Sequence, residues 1–442
     1  MFENKTKQEA TKQILDLVRE YHDKYMVRAP WQDGDRINYA GRVFDADEMV
    51  NLADSALEFW LTSGRYTEHF EKELGKYLNL PFVSLVNSGS SANLLAFMAL
   101  TSPLLKERQI KRGDEVISVA CGFPTTITPI LQYGAVPVFV DVSLETGNID
   151  VNMLEKALSP KTKAVMLAHS LGNPFDIKAV SEFCEKYNLW LIEDNCDALG
   201  SEYTLDGKTR KTGTFGDIGT SSFYPPHHLT MGEGGAVYTS SALLNRIIRS
   251  FRDWGRDCYC PSGKDDTCGC RFSKQYGKLP LGFDHKYTYS HFGYNLKATD
   301  MQAAIGCAQL KKLESFTKKR RENFEYLKAK LESTQDKLLL PQATENSNPS
   351  WFGFLMLCKD GVSRNDLVLA LEKSGIQTRA LFAGNIIKHP CFDSIRNSDA
   401  YRVVGELTNT DKMMNNAFWV GVYPGMSSAM LDKIAKVIIE NL

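Results

Sequence analysis

Between residues 48 and 250 short apolar runs alternate with stretches of helical periodicity. The runs are "EVISVA" (115–120), "VPVFVDV" (136–142), "KAVMLAH" (163–169), "LWLIED" (189–194), "GTSSF" (219–223) and "GAVYTS" (235–240). Their lengths, and the Val and Ile content of the first of them, suit strands covered on both faces. Alternation with helices predicts an α/β fold, a mainly parallel sheet flanked by helices. Ahead of it, residues 7–26 carry a helical stripe of Ile14, Leu17, Val18, Tyr21 and Tyr25. Periodicity lapses between residues 253 and 300, an irregular insertion long enough to expect a function for it. A helix over roughly 299–332, rich in Lys, Arg and Glu, then leads to a smaller α+β domain. The expected division is an N-terminal helix and arm (1–47), a large domain (48–305) with the Cys-rich insertion at about 253–300, and a linking helix with the small C-terminal domain (306–442).

Charge narrows the partners. The 442 residues carry 52 basic and 53 acidic side chains, a balance that suggests neither nucleic acid nor an anionic membrane surface. The first twenty residues are charged, with no apolar secretion core, and no run approaches the length of a spanning helix. A cytoplasmic protein is expected. In a reducing compartment, ten cysteines point to metal binding or catalysis rather than disulfides.

Three segments carry candidate chemistry at strand ends, where open α/β sheets place ligands. "VNSGSSANLLAF" (86–97) sets small residues before an apolar helix, so the backbone N–H groups at Gly89, Ser90 and Ser91 could hold a phosphate, or Ser88 could simply cap a core helix. "LWLIEDNCDALG" ends a strand on Glu193 and Asp194, either helix caps or a partner for a protonated ring nitrogen. "TSSFYPPHHLTMGEGGAVYTS" (220–240) ends a strand at Ser222, then carries His227 and His228 before a glycine-rich turn.

Together with "GDEVISVACGFPTT", "HSLGNPFDI", "GYNLKATDMQAAIG" and "IQTRALFAGN", these segments resemble, in order and over nearly the whole chain, the fold-type I, pyridoxal-phosphate-dependent sugar aminotransferases of the DegT/DnrJ/EryC1 family. The resemblance implies a fold-type I aminotransferase fold and a homodimer. It also implies site roles: Asp194 on the pyridine nitrogen, Phe123 stacked on the ring, Gly89, Ser90 and Ser222 at the phosphate, Asp197 at the ring hydroxyl, and Asn295 at the phosphate of the neighbouring subunit. The family reads "SFHPxK" before the turn, and its lysine holds the cofactor as an imine. Here that position is His227, which cannot. Pyridoxamine phosphate (PMP) becomes the expected bound form, and His227, with His228 as competitor, the expected base for proton transfer. Deoxygenation is then favoured over transamination.

The insertion contains C-x-C-x7-C-x-C at Cys258, Cys260, Cys268 and Cys270, a spacing open to zinc or an iron-sulfur centre. Cys196 lies two residues after Asp194. Cys196 with Cys258, Cys260 and Cys268, alongside a histidine for the lysine, resembles the iron-sulfur 3-dehydrases of the family and implies a [2Fe-2S] cluster on those four thiols. Spacing alone leaves Cys270 open as a substitute for Cys196 or Cys268. The same resemblance implies removal of the C3 hydroxyl of CDP-4-keto-6-deoxy-D-glucose, with electrons from an NADH-dependent iron-sulfur flavoprotein reductase, on a route to 3,6-dideoxyhexoses. dTDP or GDP sugars and a non-catalytic zinc-stapled protein are the alternatives. His285, Tyr289, His291 and Arg379 are candidates for lining the sugar pocket.

Overall fold

The computed structural model describes residues 2–27, 29–260 and 263–442. In chain order its strands are β1 (Phe82–Val86), β2 (Glu115–Val119), β3 (Val136–Val140), β4 (Thr162–Ala168), β5 (Trp190–Asp194), β6 (Glu202–Leu205), β7 (Lys208–Lys211), β8 (Ile218–Ser222), β9 (Gly235–Thr239), β10 (Leu338–Leu339), β11 (Ser347–Asn348), β12 (Gly353–Cys358), β13 (Arg402–Val403) and β14 (Ala417–Gly421). All six predicted runs are strands of one eight-stranded sheet, ordered β1-β9-β8-β5-β4-β2-β3-β13. Pairing is parallel from β8 to β13, and β9 runs antiparallel to both β8 and β1.

Period-two alternation distributes the strand residues between two cores. Val116, Ala164, Met166, Trp190, Ile192 and Val237 pack with the helices Gly89–Ala99 and Ala242–Arg252. Ile117, Val165, Leu167 and Leu191 pack on the other face with Val180 and Phe183 of the helix Ile177–Lys186, and with Phe352, Leu355 and Trp419 of the C-terminal region. That region has its own antiparallel sheet, β10-β12-β14, and a core of Leu327, Leu331, Phe354, Phe418 and Ile434. It stays attached to the large sheet, because β13 pairs with β3.

One expectation needs adjustment. The helix expected over 299–332 is two, Asp300–Leu310 and Leu313–Leu331. The break falls at Lys312 (φ −97°, ψ −8°), whose ammonium reaches back to the Glu48 carboxylate at 2.6 and 2.7 Å. The N-terminal helix, Lys7–Tyr25, lies beside the helix Ala46–Glu58 through Arg19 and Asp47. Much of its apolar stripe, at Leu17, Tyr21 and Tyr25, stays exposed. The 253–300 segment is irregular as expected, pinned by isolated bridges Asp253–Asn295 and Arg256–Tyr289. No helix among the described residues is long and apolar enough to cross a membrane.

Candidate active site

The alternation that builds the cores also separates the two carboxylates ending β5. Asp194 shares the face of Trp190 and Ile192 and meets the helix Gly89–Ala99. Its Oδ2 accepts from Asn93 Nδ2 and Thr126 Oγ1, both at 2.7 Å, and its Oδ1 accepts from the Cys196 N–H at 3.2 Å. Thr220 donates to Asn93 Oδ1 at 2.7 Å, which fixes the amide. A carboxylate so held at a strand end is placed to accept from a protonated ring nitrogen. Glu193 faces the opposite way and is fully buried. It accepts from His169 Nε2 at 3.0 Å and from the N–H groups of Gly213, Phe215 and Gly216 at 2.8, 2.6 and 2.6 Å. Burial raises its carboxyl, but His169 and these N–H groups outweigh that and hold it below the ordinary value. Glu193 clamps a loop; Asp194 faces the helix Gly89–Ala99.

The predicted phosphate corner is unusually close. A Cβ on Gly89 would stand 2.4 Å from Ser222 Cβ, 2.8 Å from Ser222 Oγ and 3.1 Å from Cys196 Sγ. Three residues far apart in sequence therefore meet at one point, and only a glycine lets the helix start there. Behind it, a Cβ on Gly235 would meet the Ser88 carbonyl oxygen at 2.4 Å. Ser88 caps the helix Gly89–Ala99 by accepting from the Ser91 N–H at 3.1 Å. The N–H groups of Gly89 and Ser90, in the first turn, have no acceptor within the helix and suit an anion. Phe123 precedes the helix Pro124–Tyr133, its ring half-exposed and edge-on to Phe382 at 6.4 Å.

His227 stands against two partners. Its Nε2 lies 3.3 Å from Asp197 Oδ1, and its ring stacks on Phe352 at 5.4 Å and 24°. Asp197 was expected at a ring hydroxyl; in the structure its carboxylate lies against His227 Nε2. Its carboxyl is raised, because burial outweighs the help from His227. Two buried atoms here have no hydrogen-bond partner among the described residues, His227 Nδ1 and Asp197 Oδ2. Such atoms in a native site call for a ligand. His228, the competing base, is fully buried and donates from Nε2 to the Ser350 carbonyl at 2.7 Å. Burial and the nearby Arg320 push its imidazole well below the ordinary value, so it is a neutral structural group. Between Leu189 and Val237 the lysines are Lys208 and Lys211. Both sit on β7, where Lys211 pairs with Glu202 and Glu314.

The bare helix N-terminus, the Gly89–Ser222 corner, the Asp194 carboxylate and the two unpartnered atoms together fit a phosphorylated pyridine. Asn295 is exposed, accepting from Lys297 Nζ at 2.9 Å.

The cysteines divide into two places. Cys196 lies at the Gly89 corner, its thiol pushed well above the ordinary value by burial and by Asp194. Cys258, Cys260 and Cys268 line one small cavity with Asp265, Asp266, Arg271, His285 and Lys286. Burial raises the Cys260 thiol, but hydrogen bonds from Thr267 and the Cys268 backbone outweigh it and hold the thiol to about 7, which favours the thiolate that binds metal. Among the described residues, Cys268, Cys270 and His285 bring three ligand atoms within 4.8 Å of one another. His285 Nδ1 is 3.8 Å from Cys268 Sγ and 3.9 Å from Cys270 Sγ, and its Nε2 is 3.4 Å from Asp257 Oδ2. This donor set suits a thiolate-bound metal.

Of the proposed pocket residues, His285 thus belongs with the cysteines. His291 is tied between Ser102 at 2.7 Å and Ser250 at 2.8 Å, Tyr289 bridges to Arg256, and Arg379 stacks on Tyr39 at 4.2 Å. Sequence reasoning missed Asn93, Thr126, Phe352 and Arg320. Arg320 carried a signal: it falls on the stripe Leu313, Phe316, Thr317, Arg320, Asn323, Phe324 and Leu327, all buried.

Comparison with known proteins gives the family and the fold. The model of the DegT/DnrJ/EryC1/StrS aminotransferase family matches residues 43–439. The chain is 54% identical over 431 residues to the lipopolysaccharide biosynthesis protein RfbH of Salmonella typhimurium, covering 97% of each. It is 48% identical over 434 residues to dTDP-4-dehydro-2,6-dideoxy-D-glucose 3-dehydratase of Saccharopolyspora spinosa, covering 98% of this chain and 92% of the relative. Among solved structures, E. coli GDP-4-keto-6-deoxy-D-mannose-3-dehydratase with bound hydrated PLP superposes with a TM-score of 0.81 at 30% identity, covering 91% of this chain and 99% of the other. The expected fold-type I aminotransferase fold is the fold of the chain.

Proposed function

The chain belongs to the DegT/DnrJ/EryC1/StrS aminotransferase family, and we propose that it is a pyridoxamine-phosphate-dependent nucleotide-sugar 3-dehydrase rather than an aminotransferase. The observation that carries this is His227: it occupies the lysine position, rests on Asp197 and Phe352, and keeps a buried, unpartnered Nδ1. The 3-dehydratase relatives support the same class, and the RfbH relative supports a place in lipopolysaccharide biosynthesis. When bound, the cofactor supplies an amino group and an electron-withdrawing ring. The protein does the rest. Asp194 holds the ring nitrogen in its protonated form, and the first turn of the helix Gly89–Ala99 with Ser222 holds the phosphate. Asp197 keeps a proton on His227 Nε2, which leaves Nδ1 as the atom that takes a proton and later returns it.

The proposed substrate is CDP-4-keto-6-deoxy-D-glucose. The C3–O bond breaks, oxygen leaves as water, and two electrons with two protons give the 3-deoxy ketosugar, an intermediate toward 3,6-dideoxyhexoses of bacterial surface polysaccharide. The proposed ligands of a [2Fe-2S] cluster are Cys196, Cys258, Cys260 and Cys268; such a cluster supplies one-electron transfer. An NADH-dependent iron-sulfur flavoprotein reductase is the proposed electron source, and a homodimer with Asn295 at the neighbouring phosphate the proposed assembly. A dTDP or GDP sugar is the second reading, favoured by relatives that act on those nucleotides.

The test uses anaerobically purified protein with PMP, the reductase and a panel of CDP-, dTDP- and GDP-linked 4-keto-6-deoxy sugars, with product oxygen content read by mass spectrometry. Loss of the C3 oxygen from the CDP sugar is expected. An amino-sugar product refutes the dehydrase reading, and turnover of another nucleotide alone reassigns the substrate. His227→Asn is expected to bind PMP and to fail in proton abstraction; an active variant moves the base elsewhere.

A further inference from the structure

Arg320 sits in the helix Leu313–Leu331 at 2% exposure, and among the described residues no carboxylate lies within ion-pair distance of it. Burying a charge without a counter-ion is costly, and such a group persists when its hydrogen bonds do something specific. Its donors go to backbone carbonyls of two segments. Nη1 donates to Trp351 at 3.2 Å; Nη2 is shared between Pro226 at 3.5 Å and His227 itself at 3.3 Å. The guanidinium also lies 5.8 Å from the centre of the Phe352 ring, the ring on which His227 stacks. Burial pulls the group down to about 9, with Asp197 opposing. Nε has no partner.

We propose that Arg320 is a positioning residue for proton transfer: it ties the Pro226–His227 backbone to the Trp351–Phe352 backbone, and thereby sets the His227 ring between Phe352 and Asp197. The two segments belong to different parts of the fold, one following β8 and the other preceding β12. A single side chain with a planar fork can fix their relative position; an ammonium is a point donor and cannot cover the same three carbonyls. Phe352 fixes one face of the imidazole and Asp197 its Nε2 edge. The peptide between them is the part Arg320 holds.

The inference rests on His227 being the base, and the experiment separates the two. Arg320→Lys keeps the charge and is the variant expected to fold; Arg320→Met removes charge and fork. The first readout needs no cofactor. In the full-length protein, stacking on Phe352 shifts the His227 Cε1–H resonance upfield by ring current, and both variants are expected to lose that shift. The second is solvent deuterium entering the methylene of bound PMP. Arg320→Lys is expected to slow it by about tenfold to a hundredfold, the cost of misplacing a reacting group, while PMP affinity stays unchanged. Variants that keep the shifted resonance and the exchange rate, and lose only thermal stability, overturn the proposal and leave Arg320 a staple. If Arg320→Met does not fold, Arg320→Lys decides alone. An active His227→Asn, by contrast, sinks the reading of His227 and not merely that of Arg320.

Discussion

Gly89→Ala is the most direct test of the phosphate corner. The added methyl would lie 2.4 Å from Ser222 Cβ, and an ordinary contact begins at 3.4 Å, so about 1 Å must be found. Ser222 cannot readily supply it, because β8 is laddered to β9 at Ser222–Gly235 and Gly235 is packed against Ser88. Cys196 closes a third side at 3.1 Å. The start of the helix Gly89–Ala99 must therefore back away, taking the N–H groups of Gly89 and Ser90 from the anion. Overpacking of this kind costs about 1–3 kcal/mol of stability. Losing one or two charge-assisted hydrogen bonds at about 1.5–3 kcal/mol each weakens cofactor affinity by about tenfold to ten-thousandfold. The assay is a fluorescence titration of the purified variant with PMP, alongside thermal unfolding without cofactor. A variant that unfolds a few degrees lower but binds PMP like the wild type would refute the argument, since the corner would then be a packing contact and the phosphate site would lie elsewhere.

Acid titration tests Glu193. Its folded-state carboxyl is held below the ordinary value, so the stability it contributes is present at neutral pH and is lost as pH falls through the depressed value. Glu193→Gln, which leaves His169 and three backbone N–H groups poorly matched, should cost about 3–5 kcal/mol at neutral pH and flatten the acid limb of a urea-midpoint profile; an unchanged acid limb contradicts the assignment. Asp197 has the opposite sign. Its carboxyl is raised by burial, so ionising it costs stability once pH exceeds the unfolded value. Asp197→Asn should therefore unfold at higher temperature than the wild type at neutral pH while losing proton transfer, and a destabilised but active variant counts against the His227–Asp197 pair. His228, depressed by burial and Arg320, makes the folded state lose stability as pH falls below about 6.5, the range where the unfolded imidazole takes its proton. Replacing it with Gln should remove that part of the slope. For the metal, iron per chain in Cys196→Ser and Cys270→Ser decides the fourth position: the proposed ligands require loss in the first and retention in the second, and the reverse assigns Cys270.

The amino-acid order by itself determined the sheet and its chemistry-bearing ends. Each apolar run had a strand's length, and the segments following β1, β5 and β8 could be placed in the site because open parallel sheets bind at strand ends. The resemblance to the family implied, in addition, that His227 stands where a lysine would. What the amino-acid order could not supply were relations between residues with no common periodicity. Which of Glu193 and Asp194 enters the site depends on which sheet face meets the helix Gly89–Ala99. The choice between His227 and His228 depends on Phe352 and Ser350, more than a hundred residues away. Where the cysteines sit was likewise not readable from spacing: Cys196 lies at the Gly89 corner, and Cys270 lies beside Cys268 and His285. The physical reason is common to all three. Periodicity encodes which way a side chain points from its own element, whereas a site is made where elements from distant sequence pack, and that is settled by burial and hydrogen bonding in three dimensions.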